Sequence, residues 1–348
     1  MWKGLASCSL VLLATFHVGP AFATERLIPP LPISDPVYTH VDRLVEIERG
    51  RRLHLHCTGN GEPTVILEAG HGDMFSTWAR IQPVVSGYTR VCSYDRAGLG
   101  FSDPPRRPGA VQQVVNDLHA LLKRAQIRPP YLLVGHSMGG MAVRLFAAEH
   151  SSEVVGMVLV DPTNEHQAEG YNRVDHRPYD VWHAANQRQY KEDEECVTAA
   201  TAGELAVGIP LYERCVAEYD SHFDAAINKV MIDLSVSPGA LRAMVWEEES
   251  SFYESARQLA AKPGNYGSMP LMVLVASPAP KRKSQTQDQA DAEYQMLLGL
   301  HRDVASRSTR GTVVQVPHTG HYIQMDAPEA VLDAIAHTFR QASLDSRK

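Results

Sequence analysis

A wholly apolar strand that runs into a glycine-flanked serine and then into a helix constrains this chain more than any other feature. Tyr131-Leu132-Leu133-Val134 leads into Gly135-His136-Ser137-Met138-Gly139-Gly140, and helical spacing continues to about Glu149. A residue on so sharp a strand-to-helix turn takes strained backbone angles, and its neighbours two positions away must be small. Here they are Gly135 and Gly139. Such a turn holds the Ser137 hydroxyl clear of the sheet edge. It also puts the Met138 N–H at a helix start, where backbone donors favour negative charge.

The flanking sequence repeats that strand–helix rhythm. Leu44–Glu48 and Arg52–Cys57 flank Arg49-Gly50, the pattern of a hairpin. Thr64–Leu67 enters a glycine-rich turn, Ala69-Gly70-His71-Gly72, and Arg90–Tyr94 ends in Asp95-Arg96-Ala97-Gly98. Val111, Val114, Val115, Leu118, Leu121, Leu122 and Ala125 recur at helical spacing. Val154–Val160 is another apolar run. Continuous apolar strands alternating with amphipathic helices give an α/β class: a mostly parallel sheet covered on both faces.

The rhythm stops after Asp161. Residues 163–268 carry more charge and more aromatic residues, with helical stretches and no buried strand, so they read as a helical insertion. The alternation resumes with the strand 270–275, a helix near 287–304, the strand 312–316 and a closing helix from Pro328 to Arg340. Asp326, with Glu329 three residues on, fits an N-cap and capping box for that helix. The expected organisation is a proline-rich extended arm at 24–41, core segments at 42–162 and 269–348, and the insertion between them. No repeat or low-complexity tract is present.

Composition sets the class and the compartment. Of 348 residues 44% are hydrophobic, which excludes wholesale disorder. Lys+Arg 33 against Asp+Glu 40 leaves a net charge of -7, so there is no basic excess for nucleic-acid binding. Residues 1–23 have the layout of a secretory signal peptide: Lys3, an apolar run from Leu5 to Phe16, then Ala21-Phe22-Ala23. The run is too short to cross a bilayer, which takes about 20 residues. The expected product is secreted or periplasmic, with no membrane span after cleavage. Cys8 would leave with the signal. Cys196 and Cys215, close together in the insertion, are expected to form a disulfide. Cys57 and Cys92 would pair if their strands are neighbours, and four buried free thiols are the alternative.

A serine hydroxyl is a poor nucleophile until a base takes its proton. His321, in Pro317-His318-Thr319-Gly320-His321-Tyr322, follows the last strand and precedes the last helix. It is preferred over His318 because it follows the glycine at the helix entry. His54 and His56 share a strand face, but no further ligand cluster accompanies them, so they read as surface histidines and no metal is assigned.

These features, with the serine early and the histidine late, resemble the α/β-hydrolase fold superfamily. The resemblance covers about 40–161 and 268–342, with the insertion as a cap that has no recognisable counterpart. It implies an eight-stranded, mostly parallel sheet with helices on both faces. Leu67-Glu68-Ala69-Gly70-His71-Gly72 is similar to the family's oxyanion turn. This implies the His71 backbone N–H, or that of Gly72 one residue on, as a second donor beside Met138. Asp95 and Arg96, in a turn that also resembles the family's, read as structural.

The triad acid departs from the family pattern. Most relatives carry an aspartate after the seventh strand, whereas Ala276–Lys283 holds no acid. Some carry it at the end of the sixth, where Asp161 stands. The chemistry requires only a carboxylate that accepts from the imidazole. Asp161 is therefore assigned, with Asp288 or Asp291 as the alternative.

The cap aromatic residues, Tyr171, Tyr179, Trp182, Tyr190, Phe223, Trp246, Phe252 and Tyr253, read mostly as cap core. Glu247-Glu248-Glu249 reads as a solvated helix face. A serine nucleophile separates the chain from dehalogenases and epoxide hydrolases of this fold, which use aspartate. The expectation is a serine hydrolase that cleaves an acyl bond in a small-molecule substrate without cofactor or metal. A carboxylic ester comes first. An aminopeptidase, lactonase or carbon–carbon bond hydrolase follows, and a non-catalytic binding protein is the reading from a different class. The oligomeric state is left open.

Overall fold

The computed structural model describes residues 31–176, 179–283 and 285–345, without the side chains of 179–185. The signal-peptide expectation and the Tyr179 and Trp182 side chains lie outside those residues. From Pro32 onward the described residues form one compact unit.

In chain order the elements are β1 (Arg43–Glu48), β2 (Arg51–Thr58), β3 (Thr64–Glu68), α1 (Gln82–Val85), β4 (Val91–Tyr94), α2 (Val111–Arg124), β5 (Tyr131–His136), α3 (Met138–Glu149) and β6 (Val154–Val160). Then come α4 (Gln167–Asp175), α5 (Tyr179–Ala202), α6 (Pro210–Cys215), α7 (Ala225–Ser235), α8 (Pro238–Ser251) and α9 (Glu254–Ala260). The last five are β7 (Leu271–Val275), α10 (Gln287–Ser306), β8 (Gly311–Gln315), α11 (Ile323–Asp326) and α12 (Pro328–Asp345). The strands form one sheet in the order β1-β2-β4-β3-β5-β6-β7-β8. β2 pairs antiparallel with β1 and β4, and every other pairing is parallel.

The period-2 pleat explains why the central strands are apolar throughout. Ile66, Leu133, Leu159 and Val273 pack on one face with residues of α2, α3, α9 and α10. Val65, Leu67, Val134, Val158 and Leu274 pack on the other with Trp78, Ile81, Val331 and Ile335. The β1–β2 hairpin turns at Gly50, whose φ of 66° suits glycine.

Between β6 and β7 lie the six helices α4–α9. Cys196 and Cys215 are bonded and join α5 to α6 beside Val197, Leu241 and Val245. Cys57 and Cys92 are also bonded, across facing positions of β2 and β4. The described part of the expected extended arm, residues 31–41, docks on the rest of the chain. Ile33 N–H donates to His222 O (2.8 Å), Asp224 N–H donates to Ile33 O (2.9 Å), and Tyr38 is buried with Phe75 and Phe223.

Three sequence expectations need correction. His54 and His56 are buried, not surface histidines: His54 Nδ1 bonds Asp95 (2.8 Å) and His56 Nδ1 bonds Asp42 (2.8 Å). Glu247 is 2% exposed and ion-paired, so the acidic run is no uniformly solvated face. Asp326 lies in α11, before Ala327, and its carboxylate accepts from Gly320 N–H (2.6 Å) instead of capping α12.

A buried ion pair fastens the cap entry to the core. Arg144 of α3 donates to Glu165 (2.8 Å), which also meets Arg307 (2.9 Å). Burial pushes the Glu165 carboxyl up, but Arg144 and Arg307 outweigh it and bring it down to about 2 from 4.5. A folded-state value below the unfolded one stabilises above pH 4.5, and the gain is lost as pH falls toward 2. Glu165→Gln is expected to cost about 3 kcal/mol at pH 7, and the gap to wild type should shrink by pH 3. Urea unfolding at both pH values checks this, and a gap independent of pH would assign the stability elsewhere.

Candidate active site

Ser137 sits at φ 51°, ψ −121°, between β5 and α3. A Cβ on Gly139 would lie 2.4 Å from Ala69 O and 2.6 Å from Glu68 O, so a larger residue would force the elbow off β3. The elbow is pinned from the neighbouring strand. Ser137 N–H donates to Val160 O (3.1 Å), and Ser137 O accepts from Gly140 (2.9 Å) and Thr163 (3.0 Å). Met138 opens α3, so the helix has no carbonyl to occupy its N–H.

Facing this corner, the turn after β3 is held by Arg96. Its guanidinium donates to Glu68 (2.9 Å), Ala69 O (2.8 Å), Gly70 O (2.5 Å) and both Glu247 oxygens (2.6 and 2.8 Å). Glu68 also accepts from Tyr94 (2.5 Å). Asp95 accepts from Phe75 N–H (2.8 Å) and Phe101 N–H (3.1 Å). Both Asp95 and Arg96 thus brace loops. Gly72 N–H is taken by Glu247 (3.0 Å), whereas His71 N–H bonds to none of the described residues. The His71 ring instead bonds Met244 O of the cap (2.8 Å).

Asp161 follows β6 at φ 42°. Its N–H donates to Leu274 O (2.8 Å), its Oδ1 accepts from Ala276 N–H (3.1 Å), and its Oδ2 lies 2.6 Å from His321 Nδ1. Burial raises the Asp161 carboxyl, but the bond and charge of His321 and the Ala276 N–H together leave it below the usual carboxylate range. Asp288 and Asp291 are exposed near the start of α10, where Asp291 accepts from Gln287 (2.8 Å). His318 is exposed too. The structure thus brings Asp161 to His321, and not the alternatives.

Sequence reasoning missed the support beneath His321. His136 Nε2 lies 3.0 Å from His321 O, and its ring packs against those of His321 (4.7 Å) and Tyr322 (4.9 Å). Its Nδ1 lies 3.4 Å from Asp73 Oδ2, and Asp73 Oδ1 accepts from Tyr322 (3.1 Å). Burial raises Asp73, but its contact with His136 brings the carboxyl below its ordinary value. The available signal was position: His136 immediately precedes Ser137 at the buried strand end. This contact also sets the His321 backbone beside the elbow. Neither the Ser137 hydroxyl nor His321 Nε2 bonds to another described residue, which is common before substrate tightens a site.

A cleft of about 580 Å³ opens beside His321. Met74, Met231, Met244 and Met325 give it apolar walls, with Asp73, Glu218, Asp220 and Asp326 around them and no Lys or Arg among the described residues that line it. Phe223 lines it as well. Among the described residues, the one group of side chains spaced to share a metal ion lies elsewhere, at His119, His150 and Glu153.

Residues 63–328 match the model of the α/β-hydrolase fold family. The chain is 37% identical over 107 residues to the uncharacterised protein YqjL of Bacillus subtilis, covering 31% of this chain and 42% of that one. It is 32% identical over 114 residues to a 2-hydroxy-6-oxononadienedioate/2-hydroxy-6-oxononatrienedioate hydrolase of Cupriavidus pinatubonensis, covering 31% and 39%. The chain thus spans less than half the length of these curated relatives. The epoxide hydrolase CorEH has the same fold at a TM-score of 0.58 and 16% identity, over 87% of this chain and 99% of that one. Est816, an N-acyl homoserine lactone degrading enzyme, aligns at a TM-score of 0.52 and 16% identity, over 85% and 99%. The eight-stranded sheet, the strained elbow after its fifth strand and the family match over 63–328 together show that the chain belongs to the α/β hydrolases.

Proposed function

We propose that the chain is an exported serine hydrolase that cleaves carboxylic esters through an acyl-enzyme on Ser137. The observation that carries this reading is the strained Ser137 elbow beside a histidine whose Nδ1 is held 2.6 Å from a half-buried carboxylate. Asp161 fixes the tautomer with the proton on Nδ1 and leaves Nε2 of His321 as the base. Nε2 takes the Ser137 proton as Oγ bonds to the ester carbonyl carbon. The N–H groups of Met138 and His71 receive the resulting oxyanion. The intermediate collapses, breaks the bond to the alcohol oxygen, and passes the histidine proton to the leaving alcohol. Water, deprotonated by the same nitrogen, then releases the acid. Two disulfides suit an oxidising compartment, which supports export.

Carbon–carbon bond hydrolysis is the second reading, favoured by the similarity to the Cupriavidus enzyme. The carboxylates around the cleft weigh against a dianionic substrate, because like charges brought together in a partly dry site repel. Aminopeptidase and lactonase activities remain further variants of the same acyl chemistry.

The test is labelling with a fluorophosphonate probe, followed by a panel of chromogenic esters matched in size. Wild type is expected to label at Ser137 and to hydrolyse neutral and cationic esters at least ten times faster, by kcat/KM, than dicarboxylates. Labelling no faster than in Ser137→Ala refutes the reading, and a preference for dicarboxylates refutes its substrate part.

A further inference from the structure

We propose that His119, His150 and Glu153 form a zinc site at the opposite end of the sheet from Ser137. The three residues come from different places in the chain. His119 stands on α2, His150 ends α3, and Glu153 closes the short turn before β6. Their potential ligand atoms all lie within 4.8 Å of one another. His119 Nε2 and Glu153 Oε1 are 3.3 Å apart. Two ligands at about 2.0–2.1 Å from a tetrahedral zinc are separated by roughly 3.3–3.4 Å, so one edge of the polyhedron is already present.

The arrangement is held in advance. His150 N–H donates to Phe146 O (2.8 Å) and Glu153 N–H to His150 O (2.9 Å), which locks two ligands on one turn. The His119 and His150 rings stack at 4.0 Å, and the Phe146 ring meets His119 edge-on (5.8 Å) and His150 at a tilt (4.8 Å).

The donor set selects the ion. Two imidazoles and one carboxylate suit zinc or a neighbouring transition metal, whereas magnesium and calcium prefer all-oxygen sites. Cys57, Cys92, Cys196 and Cys215 are all in disulfides, so none of the four offers a thiolate to compete for the ion.

His119 and Glu153 line a groove of about 400 Å³ together with Lys123, Gln126 and Arg128, and a fourth ligand position would open to it. Two neutral histidines and one carboxylate leave zinc with a net positive charge, and the two cations add to it. That position therefore suits water or a small anion. β6 separates Glu153 from Asp161 by roughly 25 Å of extended chain, so the ion would brace the α2–α3–β6 corner and take no part in turnover.

The experiment uses the mature, tag-free protein with zinc chloride as the probe. Native mass spectrometry and calorimetric titration are expected to show one zinc per chain, with a Tm rise of several degrees in excess zinc and none in magnesium. His119→Ala, His150→Ala and Glu153→Gln should each weaken zinc binding at least tenfold while leaving ester hydrolysis unchanged. The milder His119→Asn and His150→Asn serve if an alanine variant misfolds. Absence of stoichiometric zinc on wild type, or equal binding by folded variants, overturns the proposal. Weakened zinc binding with intact turnover supports it whether or not the esterase reading survives.

Discussion

Ser137→Ala is expected to lower kcat by roughly 10⁶-fold, to the residual rate that oxyanion donors and binding alone sustain. His321→Ala should fall to a similar level, and the double variant should be no slower than either single one. Nucleophile and base act as a unit, so the second loss removes nothing still working. Folding should survive. The elbow is pinned by the Ser137 backbone through Val160, Gly140 and Thr163, and alanine keeps all three bonds. Far-UV circular dichroism and thermal melts would therefore match wild type. A normal rate in either single variant would move the chemistry away from this corner.

Asp161→Asn should lower kcat about 10⁴-fold with little change in KM. The asparagine oxygen can still accept from Ala276 N–H, so the strand end stays in place. Its amide then faces Nδ1 and favours the tautomer whose Nε2 carries the proton, which disables the base. Because Asp161 sits below the usual carboxylate range, it remains ionised at mildly acidic pH. Loss of rate there would not report protonation of the aspartate. Asp288→Asn and Asp291→Asn should leave the rate within twofold. Steady-state kinetics of the three variants decides it, and an unchanged Asp161→Asn rate with a collapsed Asp291→Asn rate would reverse the assignment.

The core was legible because it obeys two local rules. Period-2 burial on both faces makes Thr64–Glu68, Tyr131–His136 and Val154–Val160 read as interior strands, and the Gly135–Gly139 spacing can serve only a tight corner. What sequence could not show is pairing at long range. His54 and His56 look like ordinary polar positions on a strand until Asp95 and Asp42 arrive opposite them. Glu247 looks solvated until Arg96, 151 positions away, closes on it. The Asp73–His136–Tyr322 support was hidden for the same reason: its members come from two loops and the end of β5, which only the finished sheet edge brings together. The helix start was misjudged on a local cue, since the Asp326–Glu329 spacing mimics a capping box while the carboxylate serves Gly320.

Glu247 also limits how the lid can open. It joins α8 to a buried guanidinium and to Gly72 of the turn beside the nucleophile. Lifting that helix would strand two charges in a dry interior and unseat the turn in the same motion. Access to the cleft beside His321 is left to the flank where Tyr219 and Tyr322 are exposed. A lid transplanted from another member of the family would need its own carboxylate at this mooring before its shape could set selectivity.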